Sequence, residues 1–138
     1  MSNKFSPSIN IVRDQDKSFD YIPTSNAERV LQSLNDNLNK GIKSFYLVGS
    51  FGTGKSSFLL ALEKQIGSGQ RIFSTKITFN GSTKYNAFNL IGDYRSLADN
   101  IREELKINSR TDIIEGINNY YKKISSNKSG LLIAIDEF

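Results

Sequence analysis

The chain has no cysteine and no histidine. Without cysteine no disulfide framework can form, and without either residue a structural zinc site loses its usual ligands. Long hydrophobic runs are missing as well. The longest strictly aliphatic stretch, residues 131–135, falls far short of the ~20 residues that a membrane helix requires. The opening Met1-Ser2-Asn3-Lys4-Phe5-Ser6-Pro7 has none of the apolar core of a signal peptide. Together these absences point to a cytoplasmic protein with no membrane partner. A strong charge bias is absent too. The formal net charge is +4, and Lys122-Lys123 with Lys128 form the one local basic cluster. No aromatic-plus-basic motif accompanies it, so a nucleic-acid partner has no motif behind it and a solvated lysine-rich surface accounts for the charge.

The 138 residues suit one domain large enough to bury a core. With 38% apolar and 23% charged residues, the composition is that of an ordinary globular chain and not of a disordered one.

Residues 1–20 are polar and without sustained period, and read as a leader or an arm that packs elsewhere. Tyr21-Ile22-Pro23-Thr24 is extended, because proline disfavours helix in the residue before it. Ser25-Asn26-Ala27-Glu28 has the form of a capping box, with Ser25 as the N-cap. Ala27, Val30, Leu31, Leu34 and Leu38 follow at helical spacing up to a stop near Gly41. Residues 43–48, containing Phe45-Tyr46-Leu47-Val48, read as a strand. A glycine-dense turn follows, then a helix from Lys55 to Ile66 through Phe58, Leu59 and Leu62. Residues 71–80 alternate through Ile72, Ser74, Ile77 and Phe79 as a second strand. The stretch from Gly81 to Gly92 reads as a loop.

Leu97, Ile101 and Leu105 then mark a helix. Another starts near Asp112 and buries Ile113, Ile114, Ile117, Tyr120, Tyr121 and Ile124. A polar turn leads to a third, buried strand at residues 131–135. Strands alternate with helices, which predicts an α/β fold with a parallel sheet.

Gly49-Ser50-Phe51-Gly52-Thr53-Gly54-Lys55-Ser56 matches G-x-x-x-x-G-K-[ST]. Triphosphate oxygens must be met by several backbone N–H groups at once, which demands a tight curl with positive φ angles that glycine tolerates. The helix that starts at Lys55 turns its positive end on the same anion, so Ser57 in its first turn joins the nucleotide-binding set. Lys55 is expected to reach the β- and γ-phosphates and to act in catalysis, and the Ser56 hydroxyl to bind Mg²⁺. Chance alone would match the four fixed positions in roughly one chain of this length in a few hundred. The position between a strand and a helix lowers that further.

Leu131-Leu132-Ile133-Ala134-Ile135-Asp136-Glu137 is an aliphatic strand ending in two acids. Such a strand holds its terminal carboxylates at the sheet edge where ligands bind. Asp136 is expected to hold Mg²⁺ and Glu137 to polarise the attacking water as general base. By itself an aliphatic strand capped by acids is usually structural. It is the phosphate loop upstream that makes these acids functional candidates.

An acid pair in this order resembles that of the additional-strand, catalytic-glutamate ATPases among P-loop proteins, which comprise AAA+ proteins, their STAND relatives and RecA-like motors. Gly52-Thr53-Gly54-Lys55 has the form usual in AAA+ loops, although Ser50-Phe51 stands where a proline pair is common. The resemblance spans residues 21–138, leaving 1–20 as the arm. It implies a three-layer sandwich around a parallel sheet, with ATP and Mg²⁺ bound. It also implies that Tyr21 and Ile22, just before the first helix, meet adenine. The wording YIPTSNAERV, GSFGTGKSSFLLALEKQ, IGDYRSLADNI and IDEF is similar to that of large ATP-binding proteins of bacterial anti-phage clusters.

In the resembled group a further strand inserts between the phosphate-loop strand and the acid-bearing strand and carries a sensor residue. An arginine finger and a lid follow. None is found after Asp136, so the expectation is the N-terminal part of a larger ATPase, which would form homo-oligomers, while the 138 residues by themselves would bind nucleotide weakly and hydrolyse it negligibly. Three functions fit: an ATPase module that turns hydrolysis into conformational work, a nucleotide-gated switch with little turnover, and a small-molecule kinase. Glu137 favours hydrolysis, and the acid pair together with the lack of an arginine-bearing lid disfavours the kinase.

Overall fold

In the computed structural model, residues 9–18, 20–50, 52–77, 84–125 and 129–136 are described. The order of elements is α1 (Ser25–Asn39), α2 (Lys55–Ser68), β1 (Lys84–Ile91), α3 (Leu97–Glu104), α4 (Ile113–Ile124) and β2 (Ser129–Asp136). The chain is thus mixed α/β. Its described strands form one two-stranded parallel sheet, paired without interruption from Lys84 opposite Ser129 to Ile91 opposite Asp136. Parallel strands need a long connection, and α3 and α4 supply it. No described helix is long and apolar enough to cross a membrane.

Helix α1 begins one residue earlier than the capping-box pattern suggests. Thr24 is the N-cap, and its hydroxyl oxygen accepts from the Ala27 N–H at 3.1 Å. Ser25 is therefore inside the helix, and Glu28 lies one position too late to close a box. The Glu28 carboxylate instead reaches the chain far away, accepting from the backbone N–H of Ser74 at 2.7 Å and of Thr75 at 3.3 Å. Desolvation alone would raise its pKa, but these hydrogen bonds bring it below the ordinary value. At the other end Gly41 takes φ +93°, its N–H donates to Leu38 O and the Ile42 N–H donates to Asn37 O. This is the Schellman stop, which satisfies the last carbonyls and favours glycine.

Helix α2 is buried almost all round, through Phe58, Leu60, Ala61, Leu62, Glu63 and Ile66. One side joins Ala27 and Leu31 of α1 and Phe73 in the larger core, where the Phe58 and Phe73 rings meet edge-on at 5.5 Å. The other side places Leu60 with Ala134 of β2 and Ile11 of the N-terminal arm. Residues 9–18 thus pack on this core and not elsewhere: Ile11 is fully buried, a burial that contributes about 1.5–3 kcal/mol. The arm is further held by the Asn89 side-chain amide, which donates to Ile11 O at 2.9 Å, and by Lys64, which donates to Lys17 O at 2.8 Å.

Several expected elements differ. Residues 43–48 form no strand, because no described strand lies alongside to pair with them and β propensity alone makes no ladder. Leu47 still packs on the larger core, while Tyr46 and Val48 stand 92% and 94% exposed. Residues 71–77 are not a strand either. Their N–H groups are taken by side chains: Gln65 Oε1 accepts from Ile72 and Phe73, and Glu28 from Ser74 and Thr75. Side-chain acceptors, one nearby in α2 and one distant in α1, take the place of a ladder. Thr78, Phe79 and Asn80 lie outside the described residues.

The expected loop at 81–92 contains strand β1 instead. Asn86 and Asn89 are poor strand formers, and the pairing with β2 overrides them; β2 is less buried than its aliphatic run suggests, for Ala134 is buried but Ile135 is 36% exposed. In α4, Ile114 is 62% exposed and not buried. Gly116 occupies the inner face there, and a Cβ on it would lie 2.6 Å from Ile107. Gly130 plays the same part in β2, since an added Cβ would lie 2.2 Å from the Tyr85 ring.

Glu63 is 7% exposed in this core. Its Oε2 accepts from Asn89 Nδ2 at 2.8 Å, while Glu63 Oε1 and Asn89 Oδ1 are buried without a hydrogen-bond partner among the described residues. Burial pushes the Glu63 carboxyl pKa up, against the opposing pulls of Asn89 and of the Lys64 charge. The native state therefore holds this proton more tightly than the unfolded chain. The contribution of Glu63 to stability is complete below its unfolded pKa of about 4.3 and is lost as pH rises through the higher folded value. Glu63→Gln, neutral throughout and bringing a donor, is expected to melt a few degrees above the parent near neutral pH. Melts across pH should show the difference shrinking towards about pH 4. A constant difference would mean that the proton is not involved.

Candidate functional site

Parallel pairing puts the C-terminal ends of β1 and β2 at one edge, where the Gly92 N–H donates to Asp136 O at 2.9 Å. The first turn of α2 arrives at that edge because Leu60, one turn further on, is fixed against Ala134. Ser56 and Asp136, 80 positions apart, consequently meet, and Ser56 Oγ donates to Asp136 Oδ2 at 2.5 Å.

The glycine loop closes around itself. Gly52 and Gly54 take φ +79° and +83°, the left-handed conformations that the motif requires. The Thr53 hydroxyl donates to Ser50 O at 2.7 Å, and a Cβ on Gly49 would lie 2.8 Å from that hydroxyl. Gly54 is the N-cap of α2 and offers no side-chain cap. The N–H groups of Lys55, Ser56 and Ser57 at the helix start have no intrahelical carbonyl to bond, which is the arrangement that receives anions. Lys55 Nζ folds over the loop and donates to Gly49 O at 2.7 Å and Ser50 O at 3.0 Å. A phosphate entering the curl would offer the ammonium stronger acceptors than these neutral carbonyls.

The expected metal ligands can be tested on this geometry. Two oxygens bound side by side to one Mg²⁺ lie about 2.9 Å apart at its usual bond lengths. Ser56 Oγ and Asp136 Oδ2 need to separate by only a few tenths of an ångström to reach that spacing. Among the described residues no group of three or more acids converges to form a cage. The pair fits magnesium, which takes one or two protein oxygens and fills its other positions with water and phosphate.

The Tyr21 ring packs on Phe73 at 5.6 Å as part of the larger core, and Ile22 is 89% exposed. Burial, and then the Glu28 charge, push the Tyr21 hydroxyl pKa up. Phe51 and Glu137 lie outside the described residues.

One cluster went unnoticed in the sequence. Beyond β1, Arg95 donates to Asp93 through Nε at 2.9 Å and Nη2 at 2.7 Å, donates to Asn100 Oδ1 at 2.8 Å and pairs with Glu103. The guanidinium is the main cause that lowers the Asp93 carboxyl to about 2. Asn100 is 4% exposed, and with Asp93 and Arg95 it lines a groove of about 380 Å³ at the same sheet edge. The Asp93-x-Arg95 spacing after an apolar run was the available signal, and reading that run as a loop concealed it.

Comparison of the chain with protein-family models, with curated proteins and with solved structures gives no match. The residues themselves therefore carry the functional argument. The geometry around Tyr21 makes its own forecast. Tyr21→Ala is expected to cost about 1–3 kcal/mol of stability in a denaturant melt, and Ile22→Ala less than about 0.5 kcal/mol. A Tyr21→Ala protein as stable as the parent would remove the ring from the core.

Proposed function

We propose that this chain binds ATP with Mg²⁺ at residues 49–57 and Asp136, and hydrolyses it as the nucleotide-binding module of a larger AAA+-like protein. The observation that carries the reading is the meeting of Ser56 with Asp136 beside a glycine loop at the C-terminal sheet edge. A helix start without a side-chain cap, a lysine over the loop and two oxygens at near-magnesium spacing converge on one small region. Each has a separate structural explanation, but a triphosphate site uses all three together.

In this reading the loop N–H groups and Lys55 hold the phosphates, and the hydroxyl of Ser56 and the carboxylate of Asp136 hold the metal. Bound Mg²⁺ would neutralise charge on the phosphate oxygens. Glu137, next along the chain from Asp136, takes the proton of the attacking water. The ATP-binding proteins of anti-phage clusters remain the group that the wording of the chain resembles.

Lys55→Ala is expected to abolish ATP binding or weaken it severely, because the principal side-chain cation for the β- and γ-phosphates is lost. Calorimetric titration checks this, and unchanged affinity would overturn the phosphate assignment.

Glu137→Gln separates binding from turnover. A general base acts in the transition state, while ground-state ATP is held by the loop, Lys55 and the metal. Hydrolysis by the protein that carries this module should fall by about 10²- to 10⁴-fold with ATP affinity near the parental value. Should the variant hydrolyse ATP at the parental rate, Glu137 is not the base and a nucleotide-gated switch becomes the better reading.

A further inference from the structure

Helix α2 has 14 residues, so its C-terminus lies about 20 Å from the phosphate loop. There the surface opens into a groove of about 740 Å³, bounded by the end of α2, residues 70–77 and the start of β1. Its described lining includes three cations, Arg71, Lys76 and Lys84, and no acid. All three cations are exposed, and none is in an ion pair among the described residues.

The sequence shows the same bias, for residues 64–92 include no aspartate or glutamate although the whole chain has 14. Glu28 reaches the rim from α1, where its carboxylate accepts from Ser74 and Thr75 and sets one negative charge against the three cations. The negative end of the α2 dipole also opens here, so the attraction for an anion comes from the side chains.

We propose that this groove binds single-stranded nucleic acid. Arg71, Lys76 and Lys84, in no ion pair among the described residues, stand around a concavity whose described lining contains no acid, which suits a flexible chain of phosphates. The proposal does not use the phosphate loop.

The test is fluorescence anisotropy of the 138-residue chain with labelled oligothymidylate and oligouridylate of about 20 nucleotides, longer than one such site. The parent is expected to bind at about 50 mM salt and weaken steeply towards about 200 mM. Arg71→Ala/Lys76→Ala/Lys84→Ala should bind at least about tenfold more weakly, with the log–log salt slope reduced by about 2 for three lost single-strand phosphate contacts. Arg110→Ala/Lys122→Ala/Lys123→Ala removes the same charge from α4 and the turn before it, and should bind like the parent. Lys76→Ala and Lys84→Ala singly, both at exposed positions, give the same comparison if the triple variant folds poorly. The proposal is overturned if the parent does not bind at low salt, or if both triple variants lose affinity equally. Tighter binding of a duplex, or displacement of the oligonucleotide by excess ATP with Mg²⁺, would overturn it as well.

Discussion

Helix α2 is buried on two opposed sides, by Phe58, Ala61 and Ile66 against α1 and Phe73, and by Leu60 against Ile11 and Ala134. A helix held this way can neither rotate nor slide without exposing apolar surface on one side or the other. Its two ends are consequently fixed relative to the sheet. The first turn stays at the edge where Asp136 ends β2, and the last turn stays beside the start of β1. The two proposed sites are the ends of this one element: backbone N–H groups and Lys55 stand at the first, and side-chain cations alone at the second.

Polar groups inside the core have a cost that apolar contacts do not. Glu63 and Asn89 sit where α2, β1 and the N-terminal arm meet, and each leaves one oxygen without a partner among the described residues. The compensation is specificity of placement. The Asn89 amide donates at once to Glu63 and to Ile11 O, so the arm, the helix and the strand are tied at one residue. On the other side of α2, Gln65 and Glu28 do comparable work by taking the N–H groups of residues 72–75. A segment that would otherwise need a strand neighbour is thereby satisfied by two helices.

Local chemistry along the chain determined a good deal. The helix starting at Lys55 and the strand ending at Asp136 were legible because each has strong local signals: a left-handed glycine before the helix, and an aliphatic run with acids after the strand. The stop at Gly41 and the helix start near Asp112 were legible for the same reason; the Asp112 carboxylate proves to be the cap, accepting from Ile114 and Glu115 N–H. The candidate loop residues followed from a motif whose geometry is contained within eight consecutive residues. All of these depend on interactions of short range.

Only the tertiary structure decided what depends on a distant partner. Residues 43–48 have the propensity of a strand but pair with no strand among the described residues, and residues 84–91, interrupted by two asparagines, pair with β2. Residues 71–77 alternate like a strand, yet their donors are claimed by Glu28 and Gln65. Tyr21 stands where an adenine contact was expected, and its ring is drawn into the core by Phe73. The physical reason is common to all four. Hydrogen-bond donors and apolar surfaces are satisfied by whichever group the fold brings near, and sequence spacing specifies that group only when it lies within a turn or two of the chain.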